Sequence, residues 1–174
     1  KGIELDTLRS MDQVLGSLLP AGLMNRFCVL SGPSFAAEVA RETPTAVVVA
    51  SRNAEAALRV QSLLQTDSFR VYTNPDVVGV ELAGALKNVI AVGAGVAAGL
   101  GVGHNTLAAL ITRGLAEITR LGVALGAERA TFSGLAGMGD LVLTCTGSLS
   151  RNRTVGYRLG RGEKLTDILA DMTA

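Results

Sequence analysis

The segment Val77–Gly99 constrains the fold of this chain most, because it is almost wholly apolar and contains no proline. An apolar pattern of this length, rich in alanine and glycine, predicts one long helix that its neighbours can approach closely. The uninterrupted apolar run, residues 89–102, is shorter than the roughly 20 residues that a membrane crossing needs. Lys87 and Asn88 flank it on one side. We therefore expect a helix buried inside the protein, and no membrane span.

The chain changes character near residue 74. Before that point, short β-branched runs alternate with helical patterns, which is typical of an α/β layer. After it, long helical patterns are separated by glycine-rich turns, and no run predicts a strand. The 174 residues suffice for one domain and part of another. We expect the end of an α/β domain at residues 1–74 and an all-α domain at residues 75–174.

Individual elements are predicted from their periodicity and their flanking residues. The β-branched run Thr45–Ala50 predicts a strand buried on both faces. Residues 54–65 predict a helix whose inner side carries Leu58, Leu63 and Leu64. The other elements predicted before residue 74 are a helix at 5–19, strands at 27–30 and 69–73, and a helical turn at 35–41.

A second long helix is predicted at residues 106–125, with Asn105 as its N-cap and Gly126 after its end. Helical spacing gives it an apolar face and a stripe of charged residues at a solvated or interface position. The apolar face comprises Leu107, Leu110, Ile111, Ile118, Leu121 and Leu125, and the charged stripe comprises Arg113, Glu117 and Arg120.

The composition argues against several classes of function. With 16 basic and 15 acidic side chains the formal net charge is +1, so bulk electrostatics cannot hold a nucleic acid or an anionic membrane. Cys28 and Cys145 lie far apart without a CxxC or Cys/His spacing. That pattern argues against a disulfide framework or a metal site and fits a reducing, cytoplasmic setting. His104 is the single histidine, and we interpret it as a loop residue.

Lys87 stands out because it interrupts the apolar helix pattern. A buried lysine carries a large desolvation penalty unless it lines a polar cleft or meets a partner. In such a cleft it can exchange a proton with a substrate oxygen. Asn88, beside it, can offer an amide to a hydroxyl group or to a cofactor carboxamide. The alternative is a lysine at the helix edge whose ammonium reaches solvent, and the spacing alone leaves both interpretations open.

The segment from Thr144 to Arg153 is the best candidate for an anion site. It combines hydroxyl groups, a flexible glycine and two arginines just before a helix predicted at residues 154–159. A helix N-terminus offers free N–H groups and the positive end of its dipole, and arginine adds donors that match phosphate oxygens. The alternative is a solvated basic turn.

Two glycine-containing turns allow the backbone to approach a ligand. Residues 31–34 (SGPS) follow a predicted strand, and residues 137–139 (GMG) precede Asp140. The Asp140 carboxylate could hold an ammonium or a hydroxyl group, or could form an Asx turn or helix cap. The chain contains no GxGxxG dinucleotide fingerprint after a strand.

In their order and spacing, these segments resemble the bacterial NAD(P)-dependent glycerol-3-phosphate dehydrogenases. The resemblance spans essentially the whole chain. It rests on KGIE (1–4), SGPSFAAEVA (31–40), ELAGALKNVIAVGAGVAAGLG (81–101), NTLAALITRGLAEITRLGVALGA (105–127), TFSGLAGMGDLVLTCTGSLSRNRTVG (131–156) and GRG (160–162). It implies the α/β tail of a Rossmann-type, dinucleotide-binding domain followed by a truncated all-α substrate domain, 6-phosphogluconate dehydrogenase C-terminal-like.

The resemblance also implies chemistry: a reversible hydride transfer between NAD or NADP and a small phosphate substrate. Dihydroxyacetone phosphate would be reduced to sn-glycerol 3-phosphate for phospholipid synthesis. Lys87 matches the general acid/base of the family. The substrate-binding positions match Lys1, Gly32, Ser34, Lys87, Asn88, Asp140, Ser150, Arg151 and Asn152, and the cofactor-binding positions match Lys1, Ala36 and Arg151.

The chain departs from the family in what it lacks. The Rossmann fingerprint and the family's C-terminal stretch are absent from the sequence, so we expect a fragment that is inactive alone. His104 stands where the family often has aspartate, at a position that is not catalytic. The alternatives are a non-catalytic dimerisation or ligand-binding module and a related 3-hydroxyacid or 6-phosphogluconate dehydrogenase. The apolar helices predict a homodimer.

Overall fold

A computed structural model describes residues 2–172, and it contains a small sheet followed by a group of helices. The strands are β1 (Val29–Ser31), β2 (Thr45–Ala50) and β3 (Phe69–Asn74). The helices are α1 (Met11–Leu18), α2 (Ala21–Met24), α3 (Ala36–Val39), α4 (Ala54–Leu64), α5 (Val77–Gly99), α6 (Gly103–Ala124), α7 (Arg129–Ser133), α8 (Asp140–Thr146), α9 (Arg151–Gly160) and α10 (Leu165–Met172). A π-helical turn, Leu135–Gly139, joins α7 to α8.

The sheet has the order β1-β2-β3, with β1 antiparallel and β3 parallel to β2. Successive residues of β2 point to opposite faces. Val47 and Val49 pack with α4 on one face, whereas Val48 and Ala50 pack with the start of α5 and the π-helical turn on the other. The central strand is therefore buried on both faces along Val47–Ala50, as predicted.

Helix α5 contributes residues to both apolar cores of the helical part. Its residue Ala83 packs with Phe132 and Ile118, and its residues Ala91 and Ala94 pack beneath α6 and α8. By length and composition alone α5 could cross a membrane, yet half of its apolar window is buried inside the protein. These contacts are those of a core helix, as predicted.

Helices α5 and α9 cross with their backbones in contact, because glycines face each other at the crossing. A Cβ atom at Gly95 would lie 2.1 Å from the carbonyl oxygen of Arg153, and one at Gly156 would lie 2.0 Å from the carbonyl oxygen of Val92. Gly99 and Gly160 repeat this arrangement one turn further along. The obstructing atoms belong to the backbone, so no side-chain rotation could make room.

The helix predicted at residues 5–19 is shorter than expected and begins at Met11. Leu8 adopts a positive φ of 57°, which no helical residue can have, and Ile3 forms an isolated antiparallel bridge with Ser10. Ser10 then starts the helix, and its backbone N–H donates to the Gln13 side chain at 3.1 Å. The apolar periodicity before Ser10 therefore belongs to a turn and not to a helix.

The prediction of which residues form the inner face of α4 is wrong. Leu58, Leu63 and Leu64 are 56%, 73% and 40% exposed, whereas Ala57 is buried against the sheet. Small Ala57 allows the close approach of helix and sheet, and Gln61 on the same side donates from its amide to the carbonyl of Val71 at 2.6 Å. Packing against the sheet therefore selects a face that leucine spacing alone does not identify.

Three predictions for the later helices also need correction. Helix α6 begins at Gly103, with Val102 at the N-cap position, so Asn105 lies inside the helix and does not cap it, and His104 is likewise helical and not a loop residue. Leu121 and Leu125 are exposed, at 47% and 57%. The helix predicted at residues 154–159 starts earlier, at Arg151, because Ser150 caps it. The charged stripe Arg113, Glu117 and Arg120 lies on the exposed side of α6, as predicted.

The N-terminal segment is held on α5 by polar contacts. Both oxygens of the Glu81 carboxylate accept the backbone N–H of Asp12, at 3.2 and 3.3 Å. The Asp12 side chain pairs with Arg52 at 2.7 Å and accepts a hydrogen bond from the Ser10 hydroxyl. Burial, with the neighbouring Asp12, raises the pKa of Glu81 to about 7. Burial acts to raise the pKa of Asp12 too, but hydrogen bonds from Ser10 and Arg52 outweigh it and lower that pKa.

We expect Glu81→Gln to remove one pH dependence of stability. The raised pKa means that folded Glu81 holds its proton between pH 4.5 and about 7 while unfolded Glu81 does not. The wild type should therefore lose on the order of 1–3 kcal/mol of unfolding free energy as the pH rises through that window. Asp12 has the opposite effect: its lowered pKa stabilises the folded state above pH 3.8, and this stabilisation is lost as the pH falls below that value. Urea unfolding from pH 4 to 8 measures the slope, and equal slopes for variant and wild type would contradict the assignment.

Candidate active site

Lys87 lies in a polar niche between α5 and α8. Its ammonium nitrogen is 2.5 Å from Asp140 Oδ1 and 3.0 Å from Thr144 Oγ1, and its side chain is 14% exposed. The Asp140 side chain is 3% exposed, so the ion pair is shielded from solvent on the carboxylate side. The sequence left open whether Lys87 reaches solvent at a helix edge. In the structure it is directed at a buried carboxylate, and only a small part of its side chain is exposed.

The start of α8 places Asp140 and Thr144 on one face, because residues four apart lie one above the other on a helix. The Thr144 hydroxyl accepts from Lys87 and lies 2.5 Å from the Asp140 carbonyl oxygen, to which it donates. Both residues are buried. The hydroxyl therefore fixes the lysine nitrogen from a second direction. Thr144 is the residue that sequence reasoning missed, since it was assigned only to the anion segment, and its spacing from Asp140 could have indicated it.

Gly137, three residues before Asp140, makes this geometry possible. A Cβ atom at Gly137 would lie 2.2 Å from the carbonyl oxygen of Phe132, so only glycine allows the π-helical turn to fold back on α7. Beneath the site, Leu141 and Cys145 pack into an apolar core with Ala91 and Ala94. Burial raises the pKa of the Cys145 thiol to about 11, although the positive charge of Lys87 acts in the opposite direction.

The anion segment forms the first turn of α9. The Ser150 hydroxyl caps the helix by accepting the backbone N–H of Arg153 at 3.2 Å. The side-chain amide of Asn152 donates to the side-chain oxygen of Asn88, Oδ1, at 3.0 Å. This hydrogen bond links the turn to the residue beside Lys87. Arg151 is exposed, and its guanidinium donates to the Met172 carbonyl at 3.4 Å. A cation and a helix N-terminus therefore lie close to the lysine niche.

The turn after β1 packs along α8. Gly32 has a φ of 140°, and a Cβ atom there would lie 2.9 Å from the Val47 backbone. A Cβ atom at Gly139 would lie 3.6 Å from the Pro33 ring, and one at Gly147 would lie 2.6 Å from the Phe35 ring. The turn thus touches the residues just before and just after α8.

The other residues that were expected to bind substrate or cofactor lie mostly in exposed positions or outside the described residues. Ser34 is exposed, and its hydroxyl donates to the Gly32 carbonyl at 3.1 Å. Ala36 is the exposed first residue of α3. Lys1 lies outside the described residues. Direct contacts join Lys87 to Asp140 and Asn88 to Asn152, while Gly32, Ser34 and Ala36 belong to the turn beside α8.

Among residues 2–172, no group of three or more histidine, cysteine, aspartate or glutamate side chains could hold a metal ion. For a dinucleotide the chain offers part of a site. The exposed Arg151 guanidinium suits a phosphate, and Ala36 leaves the start of α3 open to approach. The glycine-rich fingerprint that would bind the pyrophosphate is not in this sequence.

Comparison with protein families gives two matches that together cover most of the chain. Residues 76–174 match the C-terminal model of NAD-dependent glycerol-3-phosphate dehydrogenase, and residues 1–57 match the N-terminal model of the same family.

Curated relatives and solved structures agree with these matches. A "Glycerol-3-phosphate dehydrogenase [NAD(P)+]" from Geobacter metallireducens is 70% identical over 99% of this chain, and one from Geobacter sulfurreducens is 68% identical over 99%. The chain spans about half of both relatives, 51% of their length. A crystal structure of glycerol-3-phosphate dehydrogenase from Coxiella burnetii superposes with a TM-score of 0.83 at 47% identity, covering 84% of this chain and 45% of that one.

Proposed function

This chain belongs to the NAD-dependent glycerol-3-phosphate dehydrogenase family, and from that premise we propose that it carries the catalytic part of an enzyme that interconverts dihydroxyacetone phosphate and sn-glycerol 3-phosphate with NAD(P)H. The observation that carries the proposal is the Lys87 niche. The Lys87 ammonium nitrogen lies 2.5 Å from Asp140 and 3.0 Å from Thr144, and part of the lysine side chain is exposed.

Reduction of a ketone needs a hydride at carbon and a proton at oxygen. NAD(P)H supplies the hydride when it is bound. Lys87 supplies the proton to the carbonyl oxygen and takes it back in the reverse reaction, so it acts as general acid and general base. The Asp140 carboxylate and the Thr144 hydroxyl hold the Lys87 nitrogen in place from two directions. Both contacts come from residues that are buried, so they hold the nitrogen from the protein side.

The phosphate of the substrate binds at the start of α9. Ser150, Arg151 and Asn152 form that turn, and the positive end of the helix dipole and the guanidinium favour a dianion. The hydrogen bond from Asn152 to Asn88 sets the distance between the phosphate end and the proton donor. Gly32 and Ser34 line the approach, and Lys1, Ala36 and Arg151 contribute to the cofactor side. In this proposal residues 1–74 belong to the dinucleotide-binding unit and residues 75–174 to the substrate unit.

The test uses the protein of natural length that carries this chain. We expect NAD(P)H oxidation with dihydroxyacetone phosphate and much slower oxidation with unphosphorylated dihydroxyacetone, because the α9 turn would then have no anion to bind. A 3-hydroxyacid and 6-phosphogluconate serve as alternative substrates in the oxidative direction. Oxidation of either one, without turnover of sn-glycerol 3-phosphate, would contradict the proposal.

Arg151→Ala is expected mainly to raise KM for dihydroxyacetone phosphate, by roughly 10–100-fold, because a hydrogen-bonded contact to a charged group is worth about 1.5–3 kcal/mol. The phosphate contact persists through the reaction, so kcat should change little. Arg161→Ala is the matched control, since Arg161 is an exposed arginine at the other end of α9. A large fall in kcat at unchanged KM would refute the phosphate assignment.

We also propose a cytoplasmic homodimer that takes part in phospholipid synthesis. Exposed leucines at the end of α6, Leu121 within it and Leu125 directly after it, offer apolar surface for an interface. Analytical ultracentrifugation of the natural-length protein measures the oligomeric state, and a monomer at micromolar concentration would contradict the dimer.

A further inference from the structure

Glu81 is a buried carboxylate that the proposed chemistry does not use. It lies on α5, the helix of Lys87, and is 1% exposed. A buried acid in an apolar helix is expensive unless a partner compensates it. Within residues 2–172 it meets Asp12, whose backbone N–H approaches both carboxylate oxygens, at 3.2 and 3.3 Å, and whose side chain also hydrogen-bonds with it.

Asp12 lies in the first turn of α1, where backbone N–H groups lack partners within the helix and the dipole is positive. A carboxylate at this position therefore both accepts a free N–H and meets a favourable field. Asp12 is the one buried residue of α1. Leu8 and Leu18, on either side of the contact, are 77% and 73% exposed. The contact of this segment with Glu81 is thus polar, and the apolar residues Met11, Val14 and Leu15 of α1 are only partly buried.

The Asp12 side chain extends the link to a third element. It pairs with Arg52, which follows β2, at 2.7 Å. Asp12 is therefore held by two residues: Glu81 accepts its backbone N–H, and Arg52 pairs with its carboxylate. Together these contacts fix the direction in which the chain enters α1.

We propose that Glu81 is a positioning residue that anchors the N-terminal segment, residues 2–12, on the helix that carries Lys87. This inference rests on the proposed function, in which Lys1 precedes that segment in sequence and contributes to substrate and cofactor binding. Glu81 touches neither reacting group, and it acts through the segment that it holds. Glu81 therefore influences binding only through the Asp12 N–H that it accepts.

The experiment compares Glu81→Leu and Glu81→Gln in the natural-length protein. Leucine removes the acceptor, so we expect KM for NAD(P)H and for dihydroxyacetone phosphate to rise at least 10-fold, with kcat within threefold of the wild type. Glutamine keeps a carbonyl oxygen for the Asp12 N–H, so its KM values should stay within threefold of the wild type. A purely structural role would instead reduce the active fraction, lowering apparent kcat in Glu81→Leu without changing KM, and that result would overturn the proposal.

Amide hydrogen exchange at Asp12 tests the anchor independently of activity. We expect Glu81→Leu to exchange this amide at least 10-fold faster than the wild type, and Glu81→Gln to protect it. Unchanged protection in Glu81→Leu would overturn the anchor even if the enzyme reduces dihydroxyacetone phosphate. Faster exchange in a protein without that activity would support the anchor and contradict the proposed function instead.

Asp76→Asn is the matched control. Asp76 is a buried acid that caps the start of the same helix, where it accepts from Gly79 N–H at 2.8 Å and from the Thr131 hydroxyl at 2.6 Å. Its replacement should lower stability but leave KM and the protection of the Asp12 amide unchanged. A rise in KM equal to that of Glu81→Leu would show that any loosening of α5 gives the effect, and would overturn the specific role of Glu81.

Discussion

Lys87→Met is expected to lower kcat for dihydroxyacetone phosphate reduction by roughly 10²–10⁴-fold, the range that a positioned general acid contributes. Methionine has a similar length but carries no proton. The loss should appear in kcat and kcat/KM together, since proton transfer takes place in the transition state. Steady-state NAD(P)H oxidation by the natural-length protein measures it. Equal turnover by variant and wild type would disprove the role of Lys87.

Two further variants separate catalysis from folding. Lys87→Met withdraws an ammonium from the Asp140 carboxylate, which is 3% exposed, and removing one partner of a buried pair is destabilising. The double variant Lys87→Met/Asp140→Asn also removes the buried charge, so we expect it to recover stability but not activity. Lys164→Met, at an exposed lysine before α10, should behave as wild type. Recovery of activity in the double variant would mean that Lys87 matters only for folding.

Gly156→Ala is expected to disrupt the substrate site from a distance. The added Cβ would lie 2.0 Å from the Val92 carbonyl oxygen, so α5 and α9 must separate. Overpacking of this kind costs about 1–3 kcal/mol. The separation should also break the 3.0 Å hydrogen bond from Asn152 to Asn88. We therefore expect KM for the phosphate substrate to rise by a factor on the order of 10–100, as displacements of about an ångström can cause.

Gly93→Ala provides the comparison. Gly93 lies in the same helix α5, but a Cβ atom there has nothing within 4 Å. Alanine should therefore stabilise the helix by about 0.5–1 kcal/mol and leave KM unchanged. Urea unfolding and substrate titration of both variants measure the difference. Similar behaviour of the two variants would contradict the backbone crossing of α5 and α9.

Local sequence patterns predicted the elements whose burial follows from their own residues. The strand Thr45–Ala50 and the helix Val77–Gly99 have the predicted bounds, because both are apolar on every side and need no partner to define a face. The inner face of α4 and the apolar face of α6 were predicted less well. Leu58 on α4 and Leu121 on α6 are exposed, since the sheet and α7 select which stripe is covered.

The site shows the same division between local and non-local information. The sequence identified Lys87 as unusual because a lysine in an apolar helix is costly, and it identified the α9 turn because arginine and a helix start attract anions. That Asp140 meets Lys87, and that Asn152 meets Asn88, depends on the packing of α8 and α9 against α5. Such packing depends on small residues such as Gly156, whose role is visible only when the neighbouring backbone is known.

The reactivity of Cys145 reports whether the apolar core beneath Lys87 is closed. The thiol is 0% exposed, directly follows Thr144 in sequence, and has its pKa raised to about 11. Since thiolates react and thiols largely do not, an alkylating reagent at neutral pH should reach Cys145 only after the core beneath Lys87 opens. Cys28 is half-buried in the sheet region and should label on a different timescale. The alkylation rates of Cys145 and Cys28 would therefore measure how fast the helical region and the sheet region open, without any introduced cysteine.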